Sequence, residues 1–359
     1  MRAHRTKTLL FVVVSGVLAL ALLISDQYLP GLPLQPKQLP SAVVTMGDST
    51  LSGEGGGDYL AGTNGERGNW CHRSAAAPIN QLRLPPEVTR INLACSGAGA
   101  EVVGADPEPG HAEGSQSAQL AELAKRYRIT DVVVQVGAND DVGFTDVVNQ
   151  CVEAWVRRAE EGCAGPLRAD WPKRIERMKP KVRSALEDVR AAMDSAGYTP
   201  SSYSLVVQSY ASPVGPEIRP ELQNLSGCPF LTSDLQWIRD TGVPQLSDGL
   251  HEVAKQTGAR FLDLSRAGLG REACTGDPRT GEGEWFTRLS VDWASLQDES
   301  RAAHAMQESY HANAAGHRQL GRCLSEFLST EEPTAACLPD AQGNLHPVPD
   351  HVAALRANP

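Results

Sequence analysis

The stretch "VVTMGDSTLSGEGGGDY", residues 43 to 59, places a serine where it could react. An apolar, β-branched run ends at Gly47, and Asp48, Ser49 and a glycine-rich turn follow at once, so Ser49 stands just beyond an expected strand. A serine hydroxyl in such a loop serves as a nucleophile if a base takes its proton and nearby donors hold the oxyanion that its attack creates. Two later strand ends offer donors: "CSGAG" carries Ser96 and Gly97, and "GAND" carries Gly137, Asn139 and Asp140. The backbone N–H groups of Ser49 and Gly97 and the Asn139 amide together make three uncharged donors. A base comes from "MQESYHANAAGHRQLG", where His311 sits in a loop-like stretch just before an alanine-rich helix. Asp48, Asp140 and His317 read as capping or packing residues, and His72 as a surface histidine near the cleft.

Such groups meet only if the elements between them bring the strand ends together. Five short runs read as buried parallel strands: 42–46, 90–94, 131–136, 203–208 and 259–264. Helical stretches beginning at Ser117, Asp146, Trp171 and Ser233 alternate with them, some broken by proline, and a last helix begins near Asn313. This alternation predicts an α/β fold, a three-layer α/β/α sandwich around a mostly parallel five-stranded sheet. In such sheets ligands collect at the carboxyl ends of the strands, where Ser49, Gly97 and Asn139 fall. The loops 53–70 and 210–232 are expected to set specificity.

Composition narrows the class. The 359 residues are 41% hydrophobic and 21% charged, and the net charge of -10 argues against a nucleic-acid partner, which requires clustered Lys and Arg. Arg2, Arg5 and Lys7 precede an uncharged run from Leu9 to Ile24, which at about 1.5 Å per residue spans roughly 24 Å of a ~30 Å hydrocarbon core. Residues 1–25 therefore read as a signal peptide or N-terminal membrane anchor, with the body extracytoplasmic, either anchored or secreted. Prolines at 30, 33, 36 and 40 make residues 26–40 a semi-rigid linker. Residues 41–330 form the expected catalytic domain and 331–359 a C-terminal tail. Eight cysteines, at 71, 95, 151, 163, 228, 274, 323 and 337, suit an oxidising compartment. They allow 105 pairings, of which sequential neighbours are the simplest, and none has zinc-finger spacing.

The four blocks, Ser49, Gly97, Asn139 and His311 in that order, resemble the SGNH or GDSL-type hydrolases, over about residues 41–325. The segment "GNWCHRSAAAPI", 68–79, resembles the cysteine-containing segment of the disulfide-bonded extracellular esterases and lipases of that family. The resemblance implies a flavodoxin-like fold and the bridges Cys71–Cys95, Cys151–Cys163 and Cys228–Cys274, which leaves Cys323 with Cys337. It also implies Ser49 as nucleophile, His311 as base, and an oxyanion hole from Ser49, Gly97 and Asn139. Two departures stand out. Block one reads GDST rather than GDSL, and the last block has Glu308 where the family often has Asp, with Ala312 where it has Pro. Either the Glu308 side chain, as third catalytic residue, or a main-chain carbonyl orients the histidine.

The expected activity is hydrolysis of a carboxylic ester through an acyl-enzyme, as a monomer without metal or cofactor. The substrate would be a small-molecule, lipid or sugar ester, and membrane contact would run through the N-terminal segment only. The alternative is transfer of the acyl group to a cell-envelope sugar or lipid by the same residues.

Overall fold

In the first strand, β1, Ser41–Gly47, each residue from Ala42 to Met46 is buried. Successive side chains of a strand point to opposite faces, so this unbroken burial means that both faces of the sheet are covered. The computed structural model describes residues 39–105, 112–293, 295–297, 301–350 and 352. The uncharged run Leu9–Ile24 lies outside these residues, and among them no helix is long and apolar enough to cross a membrane.

The sheet has seven strands, not the five expected. β2 is Thr89–Asn92, β3 Arg128–Gln135, β4 Ser204–Gln208, β5 Arg260–Asp263, β6 Thr334–Pro339 and β7 Leu345–Pro349, in the spatial order β2-β1-β3-β4-β5-β6-β7. All pairs are parallel except β6 with β7. The two added strands come from the segment read as a tail. "TAACLP" and "LHPVP" are short and carry little β-branched character, so sheet membership comes from pairing with the exposed edge of β5 rather than from local propensity. Cys323–Cys337 ties β6 to the helix that precedes it.

The helices are α1, Ser49–Ser52; α2, Ala100–Val103; α3, Gln116–Ala124; α4, Phe144–Arg157; α5, Ala164–Ser195; α6, Thr232–Trp237; α7, Val243–Thr257; and α8, Ala314–Leu328. α5 packs against α2, α3, α6 and α7, while α8 packs against β7 and the helical turn Pro78–Gln81. Proline acts differently from the expectation of broken helices. Pro172 and Pro180 lie inside the continuous α5, whereas Pro244 falls in the first turn of α7, where a missing N–H costs nothing. Between α6 and α7 the chain makes one π-helical turn, Ile238–Gly242. A buried carboxylate helps to start α5: Asp234 accepts from the N–H groups of Cys163 at 3.1 Å and Ala164 at 2.9 Å. The Cys151–Cys163 bridge joins α4 to that point.

Candidate active site

The carboxyl ends of β1 and β3 approach so closely that only glycine fits at the last residue of β1. A Cβ on Gly47 would lie 1.9 Å from the Gln135 carbonyl oxygen. Gln116 clamps the same peptide, accepting from Gly47 N–H at 2.7 Å and donating to its carbonyl at 2.8 Å. The chain then turns into α1. Asp48 caps it by accepting from Thr50 N–H at 3.1 Å. The other Asp48 oxygen accepts the Tyr210 hydroxyl, which in turn accepts from Ala138 N–H at 3.3 Å, so the ends of β1, β3 and β4 are laced together. Burial pushes the Asp48 carboxyl up to about 7, against the lowering effect of the Tyr210 hydrogen bond.

Ser49 is buried except for a small opening, and its Oγ lies 2.8 Å from His311 Nε2. The imidazole Nδ1 faces the Ser309 main-chain carbonyl at 3.1 Å. Nδ1–H donating to that carbonyl leaves Nε2 as the acceptor for the serine hydroxyl. Glu308 does not make this contact. Its carboxylate accepts the Tyr59 hydroxyl at 2.8 Å instead. Between Glu308 and His311, Tyr310 has φ +60, and the His311 N–H turns back to the Glu308 carbonyl at 3.3 Å. Asn313 caps the following α8, accepting from Ala315 and Gly316 N–H at 2.9 and 3.0 Å. Burial holds the His311 imidazole below the ordinary histidine range, and the negative charge of Glu54 works against that shift.

Gly97 follows β2 and Asn139 follows β3, the two strands that flank β1, and Asn139 lines the same pocket as Ser49. Gly97 has φ +81, a conformation that suits glycine, in a turn fixed by Ser96 N–H donating to the Cys71 carbonyl at 3.1 Å. The Cys71–Cys95 bridge fastens that turn. The Asn139 amide uses one of its two N–H groups to donate to the Ala98 carbonyl at 3.1 Å. Asp140 supports α2, both carboxylate oxygens lying 3.1 Å from Ala100 N–H, and burial raises it to about 6.

Two further histidines lie beside this site; His317 packs in the interior, as expected, while His72 does not lie where the sequence suggested. His72 is buried rather than at the surface, its Nδ1 2.8 Å from Glu54 Oε1. His317 is fully buried, with Nε2 2.9 Å from the Glu54 carbonyl, and burial lowers it to about 4. Glu54 itself has no solvent exposure and was not legible as a site residue. An acid in a glycine-rich turn has the same sequence signature whether it faces water or the interior. The remaining cysteine bridge joins Cys228 to Cys274. A cluster of metal-ligand types among the described residues, Cys151, Cys163 and Asp234, has its sulfurs bonded to each other and its carboxylate on the α5 N-terminus.

An apolar pocket opens beside Ser49 and His311 and runs to the π-helical turn. Its walls include Phe144, Val147, Trp171, Phe230, Trp237 and Leu246. Of the loops expected to set specificity, 210–232 contributes Tyr210, Val214 and Phe230, while no residue of 53–70 lines it; α4, α5 and α7 supply much of the wall. The pocket is thus part of the folded core, shaped before a substrate arrives.

The family model described as the GDSL-like lipase/acylhydrolase family matches residues 45–319, a span holding all four blocks. Among solved structures, the extracellular lipase from Streptomyces rimosus is similar at 20% identity, covering 81% of this chain and 100% of that one with a TM-score of 0.53. Phospholipase A1 from Streptomyces albidoflavus NA297 is similar at 22% identity over 77% of this chain and 94% of that one, with a TM-score of 0.49. A carbohydrate acetylesterase from Sinorhizobium meliloti reaches 13% identity over 80% and 98%, with a TM-score of 0.39. No curated protein matched the sequence. The family model spans well over half of the chain and the mostly parallel α/β sheet agrees with it, so the chain belongs to the GDSL-like lipase/acylhydrolase family.

Proposed function

We propose that the protein is an extracytoplasmic esterase that hydrolyses carboxylic esters with an apolar acyl group. The observation that carries this is the 2.8 Å contact between Ser49 Oγ and His311 Nε2 at the mouth of an apolar pocket. As Ser49 Oγ bonds to the ester carbon, its proton moves to His311 Nε2 and the carbonyl electrons move onto oxygen. The Ser49 and Gly97 N–H groups and the free Asn139 N–H receive that oxyanion. Collapse expels the alcohol oxygen, which takes the proton back from His311. Water then enters, gives a proton to His311 and attacks the acyl carbon, and collapse of that intermediate breaks the bond to Ser49 Oγ, which takes the proton back from His311 as the acid leaves. The Ser309 carbonyl holds the ring in the tautomer both half-reactions need.

The extracytoplasmic site is supported by four disulfides, which persist in oxidising compartments. Residues 1–25 serve as export signal or anchor and 26–40 as linker in this reading. A series of p-nitrophenyl esters from acetyl to palmitoyl tests the activity. Saturable turnover that rises from acetyl toward longer chains is expected, with the free acid as product even when a sugar acceptor is present. Turnover confined to acetyl, or product appearing on the sugar, contradicts it.

A further inference from the structure

Glu54 is a charged side chain with no exposure, five residues after Ser49, and it holds more hydrogen bonds than any capping role requires. Its Oε2 accepts the Ser96 hydroxyl at 2.6 Å and the Gln307 amide at 2.8 Å. Its Oε1 meets His72 Nδ1 at 2.8 Å and the Tyr59 hydroxyl at 3.1 Å. These partners belong to separate parts of the site. Ser96 is the residue before Gly97, in the turn that carries an oxyanion donor. Gln307 lies four residues before His311. The Tyr59 hydroxyl also lies 2.8 Å from the Glu308 carboxylate, so its one proton is shared between the two acids. The backbone is joined too: Glu54 N–H donates to the Ser49 carbonyl at 3.0 Å, and a Cβ on the adjacent Gly55 would lie 3.0 Å from His311 Cβ.

We propose that Glu54 is a positioning residue for the Ser49–His311 reaction, locking the nucleophile loop, the oxyanion turn and the histidine loop to one buried carboxylate and supplying the negative charge that His311 does not receive from a directly bonded acid. This rests on the ester-hydrolase reading above and adds a residue that reading does not use.

A buried carboxylate survives only when it is fully hydrogen-bonded, because an unpaired charge in the interior is strongly destabilising. Burial alone would raise the Glu54 pKa, yet the hydrogen bond from His72 and the positive charges of His311 and His72 outweigh it, and the group stays below the usual glutamate range. Glu54 is therefore an anion while the enzyme works. The His311 loop otherwise meets a neutral carbonyl at Nδ1, so the imidazolium formed as Ser49 loses its proton has its compensating charge at a distance. The groups bearing on His311 are Glu54 and His72 from the nucleophile side, Glu308 from its own loop and His317 from α8, and Glu54 has the largest charge effect on it among them.

The test compares wild type, Glu54→Gln, Ser96→Ala and Ser49→Ala in kcat, KM and the pH profile of kcat/KM, with folding checked by thermal melting. Glu54→Gln keeps the shape and removes the charge. It should lower kcat about 10- to 100-fold with KM within about twofold, and move the acid limb toward lower pH by about one unit, because a lost anion makes the imidazolium harder to form. Ser96→Ala removes one tie and keeps the charge, so it should lower kcat about tenfold with the acid limb in place. A folded Glu54→Gln enzyme with wild-type kcat and acid limb overturns the proposal. So does a loss of kcat that leaves the acid limb unmoved, since that is a purely structural role. If Glu54→Gln does not fold, wild-type kcat in Ser96→Ala overturns it. Turnover that persists in Ser49→Ala refutes the parent reading, whereas Ser49-dependent turnover with an indifferent Glu54 refutes this proposal alone.

Discussion

Replacing Glu308 by Gln discriminates between two ways of holding the His311 imidazole, the proposed base. In Ser-His-acid systems the acid bonds Nδ1, fixes the tautomer and faces the imidazolium, and its amide substitution lowers kcat by about 10⁴-fold. Here Nδ1 lies 3.1 Å from the Ser309 carbonyl, and the Glu308 carboxylate is 2.8 Å from the Tyr59 hydroxyl. A glutamine at 308 keeps an oxygen for Tyr59 and leaves Ser309 untouched, so the tautomer survives. What is lost is one charge-assisted hydrogen bond, which becomes a neutral one at a cost of about 1 kcal/mol, and a charge whose effect on His311 ranks below that of Glu54 and of the Ser309 hydrogen bond. If all of that cost reached the transition state, kcat would fall about fivefold, since 1.4 kcal/mol is tenfold. Steady-state kinetics on a p-nitrophenyl ester, with His311→Ala beside it as the reference for a lost base, measures the difference. A loss under about tenfold for Glu308→Gln is expected. A loss of a thousandfold or more would refute the reasoning and place the carboxylate on the ring during turnover.

Asn139→Ala removes a proposed oxyanion donor and should lower kcat by roughly 10²- to 10³-fold with little change in KM; an effect confined to KM would make it a substrate-binding group instead. His317 is neutral in the fold with its pKa lowered to about 4 from an ordinary 6.5, so its contribution to stability is present above pH 6.5 and is lost as pH falls through 4. Denaturant unfolding of wild type should lose about 3 kcal/mol more between pH 7 and pH 4 than His317→Gln does. Equal losses in the two proteins would show that His317 is protonated in the folded state.

The parts of this protein that were readable in its sequence are those where a residue type is tied to a backbone need. Strand β1 ends in a glycine because a Cβ there would strike Gln135, and Ser49, the proposed nucleophile, follows directly. Asn313 announces α8 because an N-cap needs a short side-chain acceptor. Elements that depend on distant partners were not readable. β6 and β7 exist because the edge of β5 is available to pair with, and nothing local in "TAACLP" says so. Glu308 pairs with the hydroxyl of Tyr59, which is distant in sequence, and nothing beside Glu308 announces that partner. Glu54 gathers partners from residues 59, 72, 96 and 307, so its role exists only once the chain has folded.

The central claim is that Ser49, activated by His311, forms the acyl-enzyme. Incubation with an alkyl phosphonate ester followed by intact-mass and peptide analysis tests it most directly. One phosphonyl group on Ser49 of the wild type is expected, with no labelling and no ester turnover in a folded Ser49→Ala protein. Labelling of the alanine variant, or turnover that survives the substitution, would contradict the account.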